Sequence, residues 1–212
     1  QNVIITHSHE DHLYIDDFAT RTEGYIPKQY CPPFTLNLYG NDRVVRLYDE
    51  CCAIPYNQRL TEVVAMNELF PFEAVRVGRY TVYPLPADHD SREQCYIYLV
   101  IENDSNKTLL YAHDTGYLKE ECWEFLKDFK LDLVSLDCTF GKIENCRHGH
   151  MGLDCAAQVK QRFIDEAITK PETIYVINHF SHNCLFLNHE EIELAAKEYG
   201  ILVAYDGRTI EV

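Results

Sequence analysis

The sequence predicts a mixed α/β protein. Three observations carry that expectation. Short apolar runs rich in Val, Ile, Tyr and Thr alternate with polar punctuation. Amphipathic stretches at helical spacing fall between them. A chain of 212 residues with 46% hydrophobic content can fill one substantial core, so a single domain over residues 1–212 is expected.

The strand candidates, in order, are Val3 to Thr6, Phe34 to Tyr39, Ala74 to Val77, Tyr80 to Leu85, Tyr96 to Ile101, Thr108 to Ala112, Leu131 to Leu136, Thr173 to Ile177 and Leu202 to Tyr205. A helix is expected after Asn41-Asp42, whose cap chemistry precedes Val44, Val45 and Leu47. A second spans Leu118 to Phe129, with Leu118, Cys122, Phe125 and Leu126 on one side. The clearest helix runs from about Gly152 to Ile168, where Leu153, Ala156, Ala157, Phe163, Ile164 and Ala167 make a stripe that ends before Pro171. The last, near His189 to Tyr199, carries Ile192, Ala195, Ala196 and Tyr199 and stops at Gly200. Asp206-Gly207 reads as a tight turn joining two terminal strands.

Acidic residues outnumber basic ones by 34 to 19, a formal charge of −15. Such a surface opposes phosphate backbones, so a polynucleotide partner is disfavoured. Bound divalent cations would offset part of the charge wherever carboxylates and histidines cluster. The nine cysteines include no CxxC pair, which argues against a disulfide framework and for reduced thiols in a cytoplasmic protein. No signal-peptide core and no bilayer-length apolar run is present, so no membrane partner is expected. A homodimer is left open.

The chemistry concentrates in Thr6-His7-Ser8-His9-Glu10-Asp11-His12, directly after the apolar run Val3-Ile4-Ile5. In an HxHxDH loop that follows a strand, His7 and His9 can serve one metal while Asp11 and His12, on the next turn, face a second. Imidazole and carboxylate ligands suit zinc, manganese or iron. A second set of ligand types closes other predicted strands: His89 in "PADHD", Asp114 in "YAHDTG" and His179 in "INHFSH". Strand ends are where α/β folds gather their sites. His113 beside Asp114 reads as structural, because neighbouring residues on a strand face opposite ways. Cys51 and Cys52 sit in an apolar helix stripe and read as buried thiols rather than a redox pair.

The order HxHxDH, His89, Asp114, His179 resembles the metallo-β-lactamase superfamily over essentially the whole chain. That resemblance implies an αβ/βα sandwich with two divalent metal ions. The first ion would take His7, His9 and His89, the second Asp11, His12 and His179, with Asp114 bridging. Members carry several strands ahead of the HxHxDH loop, so the resemblance also implies N-terminal strands that are missing ahead of residue 1. Two such ions make hydroxide available near neutral pH and clamp the attacked group, and Asp11 can orient the water.

Within the superfamily, "LDCTFG" at Leu136 to Gly141, "RHGHMGLD" at Arg147 to Asp154, "NHFSH" and the terminal "AYDGRTIEV" are similar to the cyclic phosphodiesterases of the carbon-phosphorus lyase pathway, which open a phosphoribosyl 1,2-cyclic phosphate. The resemblance implies a small phosphodiester substrate and a catalytic histidine before the long helix. His150 matches best, with His148 in reserve. His150 would protonate the leaving ribose oxygen, and its place near a helix N-terminus would favour a phosphate. In the same family a histidine matching His182 joins N-terminal cysteines at a structural zinc, and those cysteines would precede residue 1. Asp137 reads either as a carboxylate that orients a ligand histidine or as a strand-end hydrogen bonder. Rival readings keep the metals and change the substrate to a thioester, a lactone or a tRNA 3′ end. A further rival keeps the fold as a non-catalytic metal-binding protein.

Overall fold

The computed structural model describes residues 1–182 and 188–212. They form two compact units, residues 1–73 with 92–96 and residues 74–91 with 97–212.

The first unit runs β1 (Asn2–Ile4), α1 (Asp16–Ala19), β2 (Leu36–Gly40), α2 (Asp42–Ala53), α3 (Leu60–Val63) and β3 (Val64–Glu68). Its three strands are parallel in the order β1-β2-β3. The sheet and α2 enclose a core of Leu38, Val44, Leu60 and Val64, which Ile5 and Leu13 join from either end of the HxHxDH loop. The α2 helix starts where expected because the Asn41 side chain accepts the Val44 N–H at 2.9 Å. Val44, Tyr48 and Cys51 then fall on its buried face, and the Tyr48 hydroxyl donates to the Val64 carbonyl at 2.8 Å. Gly40 makes the tight strand-to-helix step: a Cβ there would stand 2.6 Å from Val44 Cγ1. Strand β3 was not expected from its sequence, Val64-Ala65-Met66-Asn67-Glu68, where Ala, Asn and Glu disfavour strand. Pairing from Leu36↔Val64 to Gly40↔Glu68 makes it one.

The second unit holds β4 (Val75–Val77), β5 (Tyr80–Pro86), β6 (Tyr96–Glu102, its first residue in the other unit), β7 (Thr108–Ala112), α4 (Glu120–Leu126), β8 (Leu131–Asp137), α5 (Leu153–Asp165), β9 (Thr169–Asn178), α6 (His189–Glu198) and β10 (Leu202–Val203). The seven strands lie in the order β10-β9-β8-β7-β6-β5-β4. From β7 to β10 neighbours are parallel, each step crossing through one helix. The C-terminal ends of β7, β8 and β9 therefore share one edge, with Ala112 opposite Leu136 and Asp137 opposite Asn178. Trp123 of α4 and Phe163 of α5, both fully buried, pack with ring centroids 4.6 Å apart, and Arg162 lies over the Trp123 ring.

Several boundaries differ from the sequence expectation, among them the helix expected over Leu118 to Phe129, which spans Glu120–Leu126. The α5 helix ends at Asp165, and Thr169 already pairs with Leu131. Strand β9 thereby absorbs Pro171, which sits in an irregularity between the pairs Leu131↔Thr169 and Leu133↔Ile174, where its missing N–H interrupts no ladder bond. Asp206-Gly207 does form a turn, with Arg208 N–H bonded to Tyr205 O at 3.0 Å, but residues 208–212 form no strand after it. None of the described cysteines is in a disulfide. Cys51 is buried beside Asp16, and burial pushes its thiol up to about 11, which suits a packing residue rather than a redox one. Among the described residues no helix is long and apolar enough to cross a membrane.

Candidate metal centre

Each unit carries its own set of the expected ligand residues. In the first, the chain leaves β1 and turns back at His9, whose carbonyl accepts both the His12 and Leu13 N–H groups at 2.9 and 2.8 Å. With Ile5 and Leu13 anchored in the core, this short turn gathers three imidazoles. The His7 and His9 ring centroids are 4.4 Å apart and those of His7 and His12 4.5 Å. His7 is fully buried, with Nδ1 3.0 Å from Thr6 Oγ1 and Nε2 2.9 Å from His9 Nδ1. Two imidazole nitrogens bound to one tetrahedral cation at about 2.1 Å would be roughly 3.4 Å apart, so this pair needs an opening of about half an ångström to fit one. Asp11 extends outward, 77% exposed, with Oδ2 3.5 Å from His12 Nε2. Slight burial would raise its carboxyl, but its own backbone N–H and the charges of His12, His7 and His9 hold it below the ordinary value.

A residue that carries no local sequence signal secures this loop. Glu93 accepts the Ser8 N–H at 3.1 Å and the Ser8 hydroxyl at 2.7 Å, and it accepts the Asn41 side-chain amide at 2.8 Å. The cap of α2 and the HxHxDH loop are thereby fastened to one carboxylate.

In the second unit, His89 follows β5, Asp114 follows β7, Asp137 ends β8 and His179 follows β9. Asp114 and His179 have positive φ, 51° and 63°. Left-handed backbone at a non-glycine residue costs about 1–3 kcal/mol and tends to be kept where a side chain must be aimed. Here both aim at each other: His179 Nε2 is 3.2 Å from Asp114 Oδ2, and His89 Nε2 is 3.8 Å from Asp114 Oδ1. The tautomers follow from the other ring nitrogens. His89 Nδ1 donates to the Gly149 carbonyl at 3.1 Å. The Thr139 hydroxyl donates to Asp137 Oδ2 at 3.1 Å, so it accepts from His179 Nδ1 at 2.7 Å. Both Nε2 atoms are thus acceptors turned toward the two oxygens of a carboxylate. Acceptors facing acceptors at this distance repel unless a cation or proton joins them, and the donor set of imidazole and carboxylate suits a divalent transition metal.

Asp137 is the hinge of this cluster. It is fully buried, and its Oδ1 accepts the N–H groups of Thr139 and Met151 at 2.9 and 3.0 Å. Its Oδ2 accepts from Asp114 N–H and His150 Nδ1, both at 3.0 Å, and lies 3.4 Å from His179 Nδ1. Burial alone would raise its carboxyl, but the hydrogen bonds from His150, His179, Thr139 and Met151 outweigh that and hold it far below the usual carboxylate range. With protein donors on both oxygens, Asp137 fixes the orientation of His150 and of the Asp114 backbone, within a group of Asp114, Asp137, His150 and His179 whose ligand atoms all lie within 4.8 Å of one another. The two sequence readings of Asp137, a carboxylate that orients a histidine and a strand-end hydrogen bonder, describe the same residue here: it ends β8 and bonds both His150 and the neighbouring backbone. Thr139, inside the "LDCTFG" stretch, carries no signal of this role in the sequence.

His150 sits against the same cluster, its ring 4.8 Å from His89 and stacked at 5.6 Å on His179. His150 stands ahead of the helix start and not at it. The α5 helix begins three residues later, at Leu153, whose N–H is bonded to Gly141 O at 2.7 Å, and the Met151 N–H is taken by Asp137. Of the first-turn N–H groups, that of Leu153 is therefore directed at the loop. His148 is 94% exposed and paired with Asp88 Oδ2 at 3.0 Å. His113 is buried, bonded through Nε2 to Ser135 Oγ at 2.7 Å, as its structural reading implied. His182 lies exposed in a turn.

Solved structures with this arrangement of elements are numerous. The metallo-beta-lactamase fold protein YhfI from Bacillus subtilis superposes with a TM-score of 0.69 at 20% identity, over 100% of this chain and 78% of its own. Zn(2+)-bound PqqB from Methylobacterium extorquens gives 0.68 at 14% identity, over 100% and 73%. The short form of human tRNase Z gives 0.60 at 15%, over 99% and 78%. At these identities the likeness shows the fold, and that fold is the metallo-β-lactamase one. No curated protein sequence matches the chain. Residues 1–169 match the family described as Beta-lactamase superfamily domain, and the chain belongs to that family.

Proposed function

We propose that this protein is a hydrolase working with two divalent metal ions, zinc or manganese with iron as a third candidate, and that its substrate is a small cyclic or nucleotide-like phosphodiester such as a phosphoribosyl cyclic phosphate. His7, His9 and His89 would hold one ion, Asp11, His12 and His179 the other, and Asp114 both. The observation that carries this reading is the division of the Asp114 carboxylate, with Oδ1 toward His89 Nε2 and Oδ2 toward His179 Nε2, as a bridging ligand requires. Zinc also appears in the name of the similar PqqB structure.

The bound ions would supply a hydroxide nucleophile at neutral pH and neutralise charge on the phosphoryl oxygens. The chain's own residues do the rest. Asp11, exposed beside His12, accepts a hydrogen bond from the attacking water and aims it. His150 carries a proton on Nδ1 toward Asp137, which leaves Nε2 to take a proton from solvent and pass it to the leaving alkoxide. Thr139 and Asp137 keep His179 and His150 from rotating.

Metal content measured together with turnover of bis(p-nitrophenyl) phosphate, in the wild type and in Asp114→Ala, tests the reading. About two ions per chain and activity lost in the variant are expected. Two ions with turnover of thioesters or lactones and none of phosphodiesters would move the substrate to those classes. Absence of bound metal would overturn the whole reading.

A further inference from the structure

Four consecutive residues, Arg147 to His150, are fastened to three different strand ends of the second unit. The Arg147 carbonyl accepts the Tyr117 N–H at 2.8 Å. His148 Nδ1 meets Asp88 Oδ2 at 3.0 Å. The Gly149 carbonyl accepts from His89 Nδ1 at 3.1 Å, and His150 Nδ1 donates to Asp137 at 3.0 Å. One short loop therefore sets the tautomer of His89 and the orientation of His150 together.

The loop rests on Gly116. That residue's N–H bonds the Asp88 carbonyl at 2.8 Å, and its Cα faces the loop so closely that an added Cβ would overlap the Arg147 carbonyl oxygen and stand 2.7 Å from Asp88 Oδ2. The obstructing carbonyl is backbone and cannot rotate away, so any side chain at 116 must push the loop outward. Gly149, with φ +72°, provides the turn that points its carbonyl at His89.

We propose that Gly116 and Asp88 are positioning residues, Gly116 as the seat and Asp88 as the clasp that holds loop 147–150 so that His89 presents Nε2 and His150 faces the cluster. The value of this device to catalysis rests on the metal-dependent reading above, but the device itself is a statement about two imidazoles. Removing the partner of a ligand histidine's second nitrogen typically weakens metal binding about 10- to 100-fold. The exposed His148–Asp88 pair contributes less than the packing at Gly116, because solvent screens it.

The test combines zinc affinity by chelator competition with imidazole nitrogen NMR on the wild type, Gly116→Ala, Asp88→Ala and Asp88→Asn. Expected are a single tautomer of His89 with the proton on Nδ1 in the wild type, loss of that tautomer in Gly116→Ala, and zinc affinity lower by about 10- to 100-fold. Asp88→Ala gives a smaller fall of the same kind, and Asp88→Asn, which keeps an acceptor for His148, restores it. If Gly116→Ala does not fold, the Asp88 pair decides. Unchanged His89 tautomer and zinc affinity in every variant that folds overturns the proposal. A wild type that binds no zinc overturns the functional reading instead, while the tautomer signal still judges the loop.

Discussion

His150 Nδ1 lies 3.0 Å from Asp137 Oδ2, and the same oxygen accepts the backbone N–H of Asp114, the expected bridging ligand. One buried carboxylate thus sets both the expected proton donor and the expected bridging ligand.

Asp137→Asn should therefore fail on two counts. Its amide nitrogen would confront N–H donors that now meet an oxygen, in a fully buried position. Loss of about 3–5 kcal/mol of stability is expected, the usual cost of unbalancing a buried charge network, together with loss of hydrolysis. Denaturant unfolding of the variant checks the first and the phosphodiester assay the second.

His150→Ala should behave differently, since in the proposed site His150 serves as proton donor and is not among the metal ligands. Metal content stays at the wild-type value while kcat falls about 10²- to 10⁴-fold on an alkyl phosphodiester. On p-nitrophenyl esters, whose leaving group needs no proton, the fall is much smaller. An equal fall on both would remove His150 from the proton-donor role.

Glu93→Ala should loosen the HxHxDH loop without unfolding the first unit. Asn41 keeps its bonds to Val44 N–H and to the Gln94 carbonyl, 2.9 and 2.8 Å, so the α2 cap survives. What is lost is the anchorage of Ser8 and one of the two acceptors of the Asn41 amide. Zinc affinity weaker by about tenfold, with a melting temperature within a few degrees of wild type, is the expected outcome.

Stability should fall in acid through Asp132, away from the metal cluster. This buried residue at the start of β8 accepts from Lys170 Nζ at 2.7 Å, Lys107 Nζ at 3.2 Å and the Thr108 N–H at 3.0 Å. Burial would raise its carboxyl, but Lys170, Thr108 and Lys107 more than offset that and lower it. A carboxyl depressed by folding stabilises the native state above the unfolded value of about 3.9, and that contribution vanishes as pH falls through the folded value. Asp132→Asn should cost about 2 kcal/mol at pH 7 and next to nothing well below pH 3, read from urea unfolding at both pH values. An equal cost at both would assign the effect to packing.

Much of this was legible in the residues themselves. The parallel strands announced themselves because Leu131 to Leu136 and Thr173 to Ile177 are short apolar runs, and α5 because its apolar positions recur at helical spacing. The ligand types stood out because imidazoles and carboxylates closed those runs. Glu93 and Asp88 did not stand out, since an acidic residue in an acidic chain has no signal until its partner is placed beside it. Strand β3 escaped for a related reason: its residues prefer other conformations, and only the ladder with β2 overrides them.

By itself, then, the sequence determined the α/β class, most of the strands and which side chains can bind metal, because periodicity and residue chemistry are local properties. Only the tertiary structure decided that Asp137 gathers His150 Nδ1 with the N–H groups of Asp114, Thr139 and Met151, that His150 stands three residues ahead of α5, and that Gly116 packs against the Arg147 carbonyl. Each depends on which donors and carbonyls a fold brings within 3 Å of one another across many residues of chain, and no local pattern records that.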